Sequence, residues 1–237
     1  MIRPNLRVEK SLLRDGHRIV VGCDEVGRGA LGGPVSVGVL AVDGETGRVP
    51  SGLADSKLLS AARRQQLVPV VQRWSLDHAV GHASAAEIDR FGIMVGLRLA
   101  AMRGLSELQV LPDVVLLDGS HDWLSPRLEQ AELFADEPSW PKVDVPAVLT
   151  RVKADLHCAS VSGASVLAKT RRDALMVEMA RDYPQFGWDE NKGYASPEHL
   201  ACLKVQGPCA EHRRSWRLPG VAPAEISLRT SERETAV

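Results

Sequence analysis

The sequence predicts a mixed α/β protein built in layers. Three observations carry this. Ile19 to Cys23 is a short run apolar on both faces, as in a central strand. Val161, Ala164, Ala168, Leu175 and Met179 fall on one stripe at 3.6 residues per turn, as in a helix packed on a sheet. Three strand-like runs come early, and helix, strand, strand and helices follow, an order that suits layered α/β architecture.

Each element has its own signal. Residues 1–17 are charged and weakly patterned, a helix or an arm. After the Ile19–Cys23 strand, Asp24-Glu25-Val26-Gly27-Arg28-Gly29 and Gly32-Gly33-Pro34 form a turn into a second strand, Val35 to Val42. Gly44 to Pro50 is a turn. Leu58 to Trp74 reads as a helix with Ser60 as N-cap. His78 to Ala83 is a third strand. Ser84 and Glu87 have the spacing of a capping box, which opens a long helix reaching Leu108. Val114 to Leu117 and Val145 to Val152 are the fourth and fifth strands, joined by a long connection over 120–144 that is rich in Asp, Glu, Pro and Trp. Ser160 to Asp182 is a helix on whose apolar stripe Arg172 also falls. Its head either snorkels outward or meets an anion. Pro197 to Val205 is a last short helix. The tail after Pro219 is polar and reads as disordered.

Bulk properties narrow the function. The 237 residues fit one large domain or a domain with an appendage, and the 44% apolar and 25% charged fractions are those of a globular protein. A net charge of −1 argues against a protein that coats nucleic acid nonspecifically, but not against an enzyme whose acidic site offsets a basic face. Cys23, Cys158, Cys202 and Cys209 show no CxxC pair, so reduced thiols in a cytoplasmic protein are expected. No apolar run approaches a membrane span and the N-terminus has no signal-like apolar core. There is no Walker A loop, no dinucleotide fingerprint and no G-x-S-x-G elbow.

The chemistry-bearing residues are acids. Asp24-Glu25, Asp118 and Asp155 each follow directly on a strand-like run. Acids at strand ends can converge on one sheet edge, where they repel one another and raise each other's pKa. A divalent cation with oxygen ligands, such as Mg²⁺, relieves that repulsion and engages phosphates. Four such carboxylates therefore suit phosphodiester hydrolysis. Each acid taken alone reads equally as a turn residue or helix cap, Asp155 above all.

Read with their neighbours, the acids resemble the ribonuclease HII family. The blocks are Asp24-Glu25-Val26-Gly27-Arg28-Gly29, Asp55-Ser56-Lys57-Leu58-Leu59-Ser60, Leu116-Leu117-Asp118-Gly119, Lys153-Ala154-Asp155, the helix Ser162 to Asp173, Asn191-Lys192-Gly193-Tyr194 with His199, and His212-Arg213-Arg214-Ser215-Trp216. The resemblance covers about residues 18–216, with 1–17 as an N-terminal arm and 217–237 as a tail. It implies a ribonuclease H-like fold, a five-stranded mixed sheet flanked by helices with a helical C-terminal part. It implies Asp24, Glu25, Asp118 and Asp155 as catalytic metal ligands, with Mg²⁺ or Mn²⁺ as cofactor. It implies cleavage of RNA–DNA hybrids and nicking of duplex DNA beside embedded ribonucleotides, leaving 3′-hydroxyl and 5′-phosphate ends. Gly27, Arg28 and Gly29 would read the ribose, whose 2′-hydroxyl distinguishes RNA from DNA. Tyr194 would pack on the deoxyribose beyond the junction. Lys57, Lys169 and Arg172 would contact phosphates, or would simply be surface residues. Nothing in the chain requires more than a monomer.

One pattern lies outside the resemblance. His199, Cys202, Cys209 and His212 read as H-x₂-C-x₆-C-x₂-H, either a zinc site or two buried thiols beside unrelated histidines.

Overall fold

A computed structural model of the chain describes residues 3–125 and 138–221. The tail beyond 221 and the middle of the 120–144 connection, with Asp136 and Glu137, lie outside the described residues.

Five strands form one mixed sheet: β1 (Ile19–Val26), β2 (Val35–Asp43), β3 (Asp77–Ala83), β4 (Val114–Asp118) and β5 (Ala147–Arg151). Their order is β3-β2-β1-β4-β5. The early strands pair antiparallel, whereas β1–β4 and β4–β5 are parallel. Strand β1 is central, which is why Val20, Val21 and Cys23 are all fully buried.

Each face of the sheet carries a helical layer. Helices α1 (Arg7–Arg14), α2 (Ala61–Trp74) and α6 (Ala159–Asp182) cover Val20, Leu40 and Val42. Helices α3 (Ala85–Phe91) and α4 (Ile93–Glu107) cover Val21, Val37 and Val39. The short helix α5 (Ala154–His157) links β5 to α6. Helices α7 (Trp188–Asn191) and α8 (Pro197–Gln206) build a C-terminal part with its own cluster of Leu31, Met176, Phe186, Trp188, Leu203 and Leu218. Leu218, read from sequence as part of the tail, is buried there.

The sequence signals for caps are realised. Ser60 accepts from the Arg63 N–H, and Ser84 and Glu87 make both bonds of a capping box. The expected long helix from Ser84 is two helices. Gly92, at φ 81°, ends α3 and starts α4, a backbone turn that disfavours other residues. On α6 the buried stripe passes from Ala168 through Arg172 to Met176 and Ala180, leaving Leu175 and Met179 half-exposed.

Helix α6 lies unusually close to the sheet. A Cβ at Gly22 of β1 would sit 2.3 Å from the Ser160 carbonyl carbon, and one at Gly38 of β2 would sit 2.3 Å from Ala164 O. Gly163 meets the sheet from the helix side, where a Cβ would fall 2.6 Å from Leu40 Cδ1. The close helix–sheet contact that its small size suggests is therefore present. Gly38→Ala should lower stability by roughly 1–3 kcal/mol, because the obstacle is backbone and cannot rotate away. Calorimetry should register this as a Tm several degrees lower, and an unchanged Tm would mean that α6 can lift off the sheet at no cost.

Candidate active site

The parallel pairing of β1 with β4 aligns Cys23 with Leu117, so Asp24 and Asp118 leave the sheet at the same edge. Strand β5 ends at Arg151, opposite Asp118. Lys153 then adopts a left-handed conformation (φ 59°), uncommon for a non-glycine residue, and turns the chain into α5. That turn brings Asp155 to Asp118. Asp118 Oδ1 accepts from the Ala154 and Asp155 N–H groups at 2.7 and 3.3 Å. The capping role open to Asp155 in the sequence thus falls to Asp118. Asp24 and Asp155 are only 3% and 6% exposed.

The electrostatics record crowding. Burial and then the neighbouring Glu25 push the Asp24 carboxyl well above its ordinary range, with Asp118 adding to the rise. Burial raises Glu25 as well, and Asp118 adds to it against Arg28 and Lys57. Burial and the nearby Asp155 raise Asp118, against the two N–H groups it accepts from. Lys57 is the local counter-charge, with Nζ 3.4 Å from Asp155 Oδ2. Burial alone would lower its pKa, but Asp24, Asp155 and Asp55 outweigh it and hold the ammonium charged.

Lys57 is delivered by a short 3-10 turn that Asp55 caps through the Lys57 N–H. Two residues given no role from sequence fix this turn. Ser165 of α6 donates to Ser56 Oγ at 2.8 Å, and Arg64 of α2 donates to the Ser56 and Leu59 carbonyls. Arg64 also pairs with Asp173, which holds Lys169 at 2.7 Å.

The donor set of Asp24, Glu25, Asp118 and Asp155 is all oxygen and anionic, which suits a hard divalent cation and no soft one. Asp24, Glu25 and Asp118 are raised first by burial and then by neighbouring carboxylates, and such a cation would offset both. Among the described residues no three His, Cys, Asp or Glu side chains close on a single point. One Asp118 oxygen is instead turned to N–H groups and one Asp155 oxygen to Lys57. Waters and phosphate oxygens would have to complete the shell of an ion held here.

Beside the acids lies the loop from Gly27 to Pro34. The Gly27 N–H donates to Tyr194 Oη at 3.1 Å, and the Leu31 N–H donates to Gly193 O. Tyr194 is half-buried, with Lys169 Nζ 5.7 Å from its ring centre. The Arg28 side chain is exposed and makes two long contacts, each 3.8 Å, to Glu25 Oε1 and to Met94 Sδ. The two glycines differ. Gly27 has φ 84° and a Cβ there would fall 2.0 Å from Arg172 Nε, whereas a Cβ at Gly29 would meet nothing within 4 Å.

Arg172 corrects the expectation from sequence. It neither snorkels nor faces a phosphate. It is fully buried and donates to the Gly32, Pro34 and Lys192 carbonyls. Its place on the apolar stripe of α6 is what carries it inside.

The chain resembles known proteins in sequence and in fold. The family model described as Ribonuclease HII matches residues 21–218. The chain belongs to the ribonuclease HII family. Family membership makes it a ribonuclease H, a hydrolase of RNA in RNA–DNA hybrids. Curated relatives include Ribonuclease HII of Streptomyces coelicolor, 44% identical over 90% of this chain and 83% of that protein. Ribonuclease HII of Paracoccus denitrificans is 40% identical over 90% and 91%. The ribonuclease H2 of Pyrococcus horikoshii has a similar structure, with TM-score 0.65, 24% identity, and coverage of 89% of this chain and 98% of that one. Bst-RNase HIII in complex with Mn²⁺ gives TM-score 0.58 at 19% identity, covering 86% and 67%. These likenesses support the ribonuclease H-like fold.

The remaining candidates sort plainly. Asp144, in the 120–144 connection, is exposed. The two histidines of the H-x₂-C-x₆-C-x₂-H pattern are hydrogen-bonded to each other. The Cys209 N–H donates to His212 Nδ1, which leaves His212 Nε2–H to donate to His199 Nε2 at 2.9 Å. His199 Nδ1–H then donates to Tyr194 O. Burial and the adjacent His199 push His212 down to about 3, so this chain of bonds is neutral at physiological pH. It ties Tyr194 to the C-terminal segment. No helix among the described residues is long and apolar enough to cross a membrane.

The two glycines give a paired test. Gly27→Ala should destabilise the fold by at least about 1–3 kcal/mol, from a positive φ and overpacking against Arg172. Gly29→Ala should leave the Tm within about one degree but weaken hybrid binding, since only an approaching ligand has reason to exclude its methyl group. Equal Tm values for the two variants, with equal binding, would remove the distinction.

Proposed function

We propose that this chain is an endoribonuclease that cuts the RNA strand of hybrids and also nicks duplex DNA on the 5′ side of an embedded ribonucleotide. The observation that carries this reading is the convergence of Asp24, Glu25, Asp118 and Asp155 at one sheet edge, directly beside a glycine loop backed by Tyr194. The acids supply chemistry and the loop supplies recognition.

Asp24, Glu25, Asp118 and Asp155 would hold Mg²⁺ or Mn²⁺. Ions bound there would supply activation of a water and charge stabilisation at the leaving oxygen, which suits 5′-phosphate and 3′-hydroxyl products. The Mn²⁺ complex of the structurally similar Bst-RNase HIII is in keeping with that choice. Lys57 pairs with Asp155, and with an ion bound there its exposed ammonium would be available to a phosphate. Lys169 is already paired with Asp173 and acts nearer to Tyr194 than to solvent.

Gly27, Arg28 and Gly29 read the ribose. The open space over Gly29 lets the backbone approach the minor groove, and the exposed Arg28 is free to accompany it. Tyr194 stacks on the deoxyribose 3′ of the junction and tests for the missing hydroxyl. The natural substrates are therefore hybrids and ribonucleotide-bearing DNA, met by a cytoplasmic monomer in ribonucleotide excision. The PCNA:RNase HII complex of Archaeoglobus fulgidus shows a partner for that relative; the present reading needs none.

Asp118→Asn should abolish cleavage of both substrates in Mg²⁺ or Mn²⁺, with an unchanged circular dichroism spectrum; normal turnover would remove Asp118 from the site. Tyr194→Ala should impair nicking at a single ribonucleotide more than cleavage of a continuous hybrid, since only the former depends on one junction. Equal losses in kcat/KM would count against the junction role.

A further inference from the structure

The most costly feature outside the acid cluster is a pair of buried guanidinium groups. Arg172 and Arg213 are both fully buried, yet among the described residues neither forms an ion pair. Burying an unpaired charge costs several kcal/mol unless its hydrogen bonds are well satisfied. Here they are, and by main chain alone. Arg172 donates to Gly32, Pro34 and Lys192. Arg213 donates to Gly27 at 2.6 Å, to Arg28 at 2.7 Å and to Gly33. Five of the six acceptors belong to the single loop 27–34, and the sixth lies two residues before Tyr194.

The neighbours of the pair belong to the same device. The Arg172 guanidinium also lies 5.4 Å from the Tyr194 ring centre, and Trp216 covers Arg213 at 4.8 Å. Gly27 has no side chain to obstruct Arg172 beneath it. With the loop carbonyls drawn inward, the Arg28 and Gly29 N–H groups at the exposed crest have no acceptor among the described residues. Each guanidinium is a planar fork whose donors diverge to several carbonyls at once, which a lysine cannot reproduce. Burial and then the neighbouring Arg172 lower Arg213 to about 9, so it stays charged at neutral pH.

We propose that Arg172 and Arg213 are positioning residues for substrate discrimination, holding the loop 27–34 and Tyr194 in the one arrangement that tests the sugar. Neither touches substrate. They act by fixing where the loop amides and the Tyr194 ring stand relative to the acids. The inference rests on the ribose-reading role of Gly27–Gly29 proposed above.

The test uses full-length protein carrying Arg213→Lys. Two quantities are measured: hydrogen exchange of the segment 26–34, and kcat/KM on a duplex with one ribonucleotide and on a continuous hybrid. Faster exchange over 26–34 is expected, with β4 peptides unchanged. A loss of about tenfold or more on the single-ribonucleotide duplex is expected, as for one or two lost bonds to a charged group, with a clearly smaller loss on the hybrid. Unchanged exchange over 26–34, or equal losses on both substrates, overturns the proposal. A wild-type enzyme that ignores the 2′-hydroxyl of an embedded nucleotide would sink the ribose reading and the discrimination role together; the exchange data would still decide whether the guanidiniums hold the loop. Should Arg213→Lys not fold, Arg172→Lys is read by the same measurements, and a folded variant with both quantities unchanged is equally decisive against it.

Discussion

The close seating of α6 on β1 and β2 is the constraint on which the rest of the site depends. With no side chain at Gly22 or Gly38, the helix backbone rests on the strand backbone. Every residue that α6 sends toward the site is thereby placed at a fixed height. Ser165 reaches Ser56 and sits beside Asp24, Asp173 anchors Arg64 and Lys169, and Arg172 passes under Gly27. At its N-terminal end the buried Glu9 of α1 accepts from the Ser160 N–H and hydroxyl, which binds the first helix to the same framework. A shift of α6 by the width of one methyl group would displace all of these together, because close-packed interiors transmit such changes rather than absorb them.

Two opposite charge problems are solved side by side. At the sheet edge, carboxylates crowd one another, and Lys57 and Arg28 offset part of the repulsion. Under the neighbouring loop, two guanidiniums are buried with only carbonyl dipoles around them. Neither arrangement favours stability, since like charges repel and desolvated charges are expensive. The two centres are not merged into ordinary ion pairs, which would have been the stabilising solution. Keeping them separate leaves the carboxylates available to cations and the guanidiniums committed to the loop.

Much of this was legible in the sequence, for definite physical reasons. Strand β1 announced itself as doubly apolar because it is central, and the Ser84–Glu87 box because both of its bonds are local. The acids stood out because each ends a strand run. Two kinds of feature were hidden. Gly92 splits a helix whose period continues across it, so periodicity could not see the break. Arg172 and Arg213 are charged residues in buried places, and their partners are carbonyls, which no side-chain pattern records. Arg172 did carry a signal, its position on the apolar stripe, but the rule that arginine heads seek water or an anion pointed the wrong way. The His199–His212 contact was hidden likewise, because the spacing of metal ligands and of a hydrogen-bonded pair look alike in a sequence.

The division of labour between Gly27 and Gly29 has a wider consequence for how the site is built. Gly27 is dictated from below, by a guanidinium that leaves no room for a side chain; nothing among the described residues comes within 4 Å of a Cβ at Gly29. A position that the fold leaves free, at the exposed crest of a loop the fold otherwise clamps, is one whose small size answers to something outside the chain. The clamp makes that answer useful. A mobile loop could widen to admit a deoxyribose or a ribose alike, and the free energy difference between the two would be spent on rearrangement. Held from beneath by fixed carbonyl bonds, the crest would offer its N–H groups in one place, so that on the proposed reading a missing hydroxyl would leave them unpaired and the penalty would fall on the wrong sugar.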